Sequence, residues 1–152
     1  MEWFSDAARA YAALLSESLF RLTGRAIPAD AEQLFEYALP LVSHGTQADP
    51  IFRYANRAAL DLWGMDWASF TALPSRLSAE AEPDIQGDRQ ALLQKALQQG
   101  FVSDYSGIRI SANGQRFRIA QTVLWNVTDR DGQRHGQAAL IGSVEPYRAP
   151  LA

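Results

Sequence analysis

Between Gly100 and Val144 apolar and polar residues alternate along runs rich in β-formers, which predicts three consecutive strands. The central run has Phe117, Ile119, Gln121, Val123, Trp125 and Val127 at its odd positions. Arg116, Arg118, Ala120, Thr122, Leu124 and Asn126 fill the even ones. A period of two assigns the odd set to one apolar face and the even set to a mixed face. Asn113-Gly114 predicts the first hairpin turn, since both residues tolerate positive φ. Asp129 to Gly132 predicts the second, with Gly132 in the left-handed position. A three-stranded sheet with one greasy face needs cover, and only upstream segments can supply it.

Upstream the period changes to that of helices. Ser5 can cap a helix from Asp6 to Thr23 that Gly24 stops, with Tyr11, Leu15, Leu19 and Leu22 on one stripe. Arg25 to Ala29 reads as a linker. Asp30, with Gln33 three residues on, caps a short helix ending before Pro40. Leu39 to Ser43 suits either the end of that segment or a strand, with Pro40 at its start or on an edge. His44 to Pro50 is a polar loop and Ile51 to Ala55 a short strand. Asn56 caps a helix from Arg57 to Trp63, closed by Gly64. Asp66 caps a turn carrying Trp67 and Phe70, broken by Pro74; Ser75 to Gly87 is irregular. Asp88 caps a helix to Gln99.

The 152 residues are long enough for one domain with its own core, and a net charge of −3 with scattered basic residues argues against nucleic-acid binding. The absence of cysteine excludes disulfides, thiolate metal sites and a flavin–cysteine adduct. No apolar run reaches membrane-spanning length and Met-Glu-Trp-Phe does not resemble a secretory leader, so a cytoplasmic location is expected. Residues 1–33 form an N-terminal helical extension, 34–146 the main domain and 147–152 a tail.

Several segments carry a family resemblance. They are Ser43 to Gly45, Asp49 to Asn56, Ala59 to Trp63, Leu73 to Glu80, Gly100 to Phe117, Val123 to Asn126 and Gly136 to Ala139. In that order they resemble the MEKHLA domain, a PAS-related family known from bacterial proteins and from the C-terminus of plant class III homeodomain–leucine-zipper factors. No segment resembles a homeodomain or a zipper, so the plant DNA-binding role does not carry over, and a bacterial form of the domain is expected. The resemblance implies an α+β, PAS-like single domain: a five-stranded antiparallel sheet with helices on one face, preceded by N-terminal helices.

A sheet roofed by the short helices encloses a hollow. The candidate ligand-binding residues are Tyr54, Trp63, Trp67, Phe70, Arg76, Phe117, Ile119, Gln121 and Trp125. Phe52 is an alternative to Tyr54. Large rings fill cores as readily as they line pockets. Gln121 is the most informative, because strand parity places its amide beside Ile119 and Val123, where it needs a partner. Arg76 can hold an anion or pair with Glu80 or Asp84. Asn56 reads as a cap, Arg109 and Arg116 as solvated turn neighbours, and the two histidines, His44 and His135, as loop residues. Haem-binding PAS domains commonly use an axial histidine from the helix before the late strands. The helix from Asp88 to Gln99 has none, which argues against haem. The cofactor is otherwise open.

The reading is a sensory or interaction module that binds a small apolar or aromatic molecule, or a partner protein, and acts through an unidentified effector. The N-terminal stripe can cover its own sheet or pair two copies. One alternative is a cone-shaped isomerase- or hydratase-like enzyme, for which Asp104 is the only acid within the late strands. Another is a structural domain without a ligand.

Overall fold

The computed structural model describes residues 2–79 and 83–147. Helix α1 (Asp6–Thr23) starts where the Ser5 hydroxyl accepts from the Ala8 amide and ends at Gly24, φ +77°. Asp30, Asn56 and Asp66 cap α2 (Ala31–Phe35), α3 (Arg57–Trp63) and α4 (Trp67–Phe70) in the same way. A 3-10 turn covers Ser75–Ser78, and α5 spans Pro83–Gln99. That helix begins earlier than the Asp88 cap predicts.

The strands are β1 (Leu41–His44), β2 (Phe52–Ala55), β3 (Phe101–Ile110), β4 (Arg116–Thr128), β5 (Arg134–Leu140) and β6 (Ser143–Pro146). They form one antiparallel sheet in the order β2-β1-β5-β4-β3, with β6 pairing with the first half of β4 beyond the end of β5. The sheet thus has six strands where five were expected. The expected loop at His44 is instead the buried end of β1, paired with Gln137 and Phe52. At the first hairpin only Gly114 takes positive φ, +84°, so the turn is not a two-residue Asn-Gly turn. Ser111 pairs with Gln115 across a three-residue loop.

The strand parity expected through β4 breaks at one residue. Gln121 has φ +49° and is the extra residue of a β-bulge: Gly107 faces Ile119 and Tyr105 faces Thr122, two residues against three. Asp104, φ +57°, is the matching bulge on β3. Phe117 and Ile119 therefore share a face with Thr122, Leu124 and Asn126, while Val123, Trp125 and Val127 point the other way. The second face is covered by α1, where the Trp125 indole N–H donates to Ser18 Oγ at 3.0 Å. Leu15 and Leu19 are fully buried there, so the stripe of α1 is spent on its own sheet.

Candidate functional site

The opposite face of the sheet is roofed by α5 and the segment from β2 to the 3-10 turn. Two cross-strand rows line it: Val42, Ala139 and Leu124, then His44, Gln137 and Asn126. The second row ties the roof to the floor. Gln137 Nε2 donates to Leu93 O at 3.1 Å and to Asn126 Oδ1 at 3.2 Å, and Asn126 Nδ2 donates to Ala96 O at 3.1 Å. The Ala96 carbonyl also accepts from Gly100 N, and Asn126 Nδ2 reaches Leu97 O at 3.4 Å, one of the last carbonyls that the helix itself leaves open.

Between roof and floor lies a cavity of about 60 Å³. Its apolar wall includes Phe52, Trp63, Leu93, Ile119, Leu124 and Ile141, and its polar lining includes His44, Ser75, Arg89, Tyr105, Arg109 and Thr122. His44, Ser75, Arg89 and Gln137 also border a wider cleft of about 250 Å³ that continues past Asp49, Arg76 and Arg134.

The rings form two connected clusters. Phe52 stacks on Phe70 with centroids 4.2 Å apart, Phe70 meets Trp63 at 5.7 Å, and Trp63 meets Phe117 edge-on at 5.2 Å. Farther out, Trp67 touches Tyr54 at 5.4 Å and Phe35 at 6.4 Å, and Phe35 stacks on Trp3 at 5.1 Å. Among the described residues two buried donors have no hydrogen-bond partner, Trp63 Nε1 and Tyr54 Oη. Burial pushes the Tyr54 hydroxyl well above the ordinary phenol value.

Of the residues chosen from sequence, Trp63 and Ile119 line the cavity. Phe70 is buried behind Phe52 and Trp63 as a second layer, and Tyr54 and Trp67 pack in the outer cluster. Phe117 borders a separate surface groove with Leu62 and Tyr147. Two choices are corrected. Gln121 is exposed, because its bulge turns it out of the alternation. Trp125 lies on the α1 side, because every odd position after the bulge is reversed. Arg76 is exposed and pairs with Asp49 at 3.2 Å, a partner not foreseen; Glu80 lies outside the described residues. Asn56 is the buried cap expected of it, and its amide also donates to Leu39 O at 2.9 Å.

The polar groups of the cavity escaped the sequence reading. Arg89 lies on α5, is 6% exposed and donates through Nη2 to Ser75 Oγ at 2.6 Å. Arg109, expected at the surface, is 7% exposed; it donates to the Ile108 carbonyl at 2.7 Å and to the Tyr105 hydroxyl. Gly107 makes room for it, since a Cβ there would stand 3.0 Å from Arg109 Nη1. Burial lowers Arg89 to about 10, and burial together with the Arg89 charge lowers Arg109 to about 9. Burial, then the charge of Arg89, pushes His44 down to about 4, so its imidazole is neutral at pH 7. Only the β3 bulge, by reversing parity after Val102, carries Tyr105 and Arg109 inward.

No Asp or Glu is buried among the described residues, and Asp104, the acid the enzyme alternative needs, is exposed. No cluster of metal-ligating side chains occurs among them either.

The match to the MEKHLA family model runs over residues 1–146, α1 included. The chain belongs to the MEKHLA domain family. Its PAS-like fold is shared with solved structures. One is the PAS domain of a protein from Colwellia psychrerythraea, with TM-score 0.62 and 14% identity over 73% of this chain and 91% of that one. A variant of the fungal photoreceptor VVD gives TM-score 0.61 and 18% identity over 85% and 93%. Among curated proteins, this MEKHLA domain is 28% identical over 134 residues to the homeobox-leucine zipper protein ATHB-9 of Arabidopsis thaliana. That match covers 84% of this chain, which spans about 15% of the relative's length. No described helix is long and apolar enough to cross a membrane.

Proposed function

We propose that this MEKHLA domain is a ligand-binding sensory module that takes a small molecule into the cavity between α5 and the sheet and passes the change to a partner protein. The observation that carries the reading is the indole N–H of Trp63. Trp63 lines the cavity and its indole nitrogen is buried without an acceptor among the described residues; leaving such a donor unpaired costs about 1–3 kcal/mol. A bound molecule would supply the acceptor. The PAS-like fold of the neighbours, one of them a photoreceptor, supports the sensory part of the reading.

A flavin adduct does not fit these residues. The sequence holds no cysteine, and a 60 Å³ cavity packed by Phe52, Trp63 and Phe70 has no room for a three-ring system without repacking. A small apolar or aromatic ligand is the better match, in a cytoplasmic and bacterial setting. Native mass spectrometry of protein purified from its own host tests the reading. Retained mass that washes out of a Trp63→Phe variant is the expected result. A bare polypeptide at every stage of purification would favour a ligand-free structural domain.

Dimerisation through α1 belongs to the same proposal. Its inner stripe is buried, so the contact falls to the outer side, where Phe20 is 58% exposed. Light scattering of the wild type and of Phe20→Glu decides it. A wild type that stays monomeric at high micromolar concentration removes the dimer.

A further inference from the structure

Arg89 and Arg109 are both buried and both line the same cavity. Among the described residues no carboxylate lies within ion-pair distance of either guanidinium. Asp49, the acid acting on Arg89, is engaged by Arg76. A guanidinium carries five N–H donors. Among the described residues, the bonds formed use one of them on Arg89 and two on Arg109. The two cations act unfavourably on each other across the site, and burial with no carboxylate among the described residues in contact is expensive for both. Proteins pair buried charges or use them. The neutral His44 imidazole and the Gln137 amide beside them supply no negative charge.

We propose that Arg89 and Arg109 together bind the carboxylate of a small monocarboxylic acid, whose apolar remainder lies against Phe52, Trp63, Ile119 and Leu124. The assignment rests on the ligand-binding reading above and narrows it to one class of ligand. The planar fork of arginine matches a carboxylate edge. The rest of the wall is mostly apolar and the space is small, which favours a short alkyl or aryl acid over a sugar or nucleotide. Gly107 is part of the arrangement, because a larger residue would press on the Arg109 guanidinium.

The test is titration of the full chain, by calorimetry, with straight-chain acids from propionate to octanoate. The corresponding neutral amides and inorganic phosphate are titrated alongside. At least one acid should bind tenfold or more tighter than its amide, and Arg89→Met and Arg109→Met should each reduce that preference to threefold or less. Should either variant fail to fold, the arginine Nε–H resonances of the wild type replace it: those of Arg89 and Arg109 should shift with the acid and not with the amide. Equal binding of acid and amide overturns the anion assignment while leaving the ligand pocket intact. Phosphate binding as tightly as the best acid overturns the choice of carboxylate. Shifts confined to other arginines, or no binding by any acid, overturn the proposal; the sensory reading is then judged separately by the native mass measurement.

Discussion

The indole nitrogen of Trp125 and the hydroxyl of Ser18 are hydrogen-bonded at 3.0 Å, joining β4 to α1 across 107 residues. Both residues are fully buried. Ser18→Ala removes the acceptor and leaves the indole donor stranded, so chemical denaturation should show a loss of about 1–3 kcal/mol. Trp125→Phe, which removes the donor as well, should lose less in the Ser18→Ala background than in the wild type. Equal losses in the two backgrounds would mean that the bond contributes nothing.

A Cβ on Gly142 would stand 2.4 Å from the Gln121 carbonyl oxygen, closer than atoms pack. Gly142 is where the edge passes from β5 to β6, opposite the bulge. Gly142→Ala must push the bulge aside and should destabilise the fold by about 1–3 kcal/mol, the range for overpacking. Thermal melting measures it.

Gln121 itself holds φ +49° without being glycine. Left-handed backbone costs a non-glycine residue roughly 1–2 kcal/mol. Its side chain is exposed, so Gln121→Gly should leave stability unchanged or raise it by up to about 1 kcal/mol. A clear loss in denaturant midpoint would show that the side chain makes a stabilising contact.

Asn56 does more than cap α3. Its Oδ1 accepts from Ala59 N at 3.1 Å and from Leu41 N at 3.0 Å, and Nδ2 donates to Leu39 O at 2.9 Å. Asn56→Ala strands buried groups on three segments and should cost about 2–4 kcal/mol in denaturant titration, more than the roughly 1 kcal/mol of a lone cap. At the exposed cap of α2, by contrast, Asp30→Ser exchanges one good capping side chain for another and should keep stability within about 0.5 kcal/mol.

His44 links stability to pH. Its folded value is about 4 against 6.5 for the free side chain. Between those values the unfolded chain binds a proton that the native chain refuses. Stability is therefore complete above about pH 6.5 and falls as pH drops toward 4, by of order 3 kcal/mol from this group. Urea midpoints at pH 7.5 and 4.5 should differ less in His44→Gln than in the wild type. An unchanged difference would show that the loss on acidification arises elsewhere.

Local signals determined most of the skeleton. Ser5, Asp30, Asn56 and Asp66 announce helix starts because a capping side chain acts within three residues, and Gly24 and Gly64 announce stops because only glycine takes the left-handed position cheaply. The ordered segments from Ser43 to Ala139 identified the family for the same reason: they are strings of neighbours. Which face each residue took was decided only in three dimensions. The bulges at Asp104 and Gln121 each insert a residue that no local pattern marks, and one inserted residue reverses every side chain after it. That reversal moved Trp125 under α1 and brought Arg109 into the cavity. Arg89 joined it from α5, where its spacing to Leu92, Leu93 and Ala96 puts it on the apolar stripe, a signal that only packing turned into burial. Burial of a charge is a property of what packs around it, and those atoms come from segments far apart in the chain.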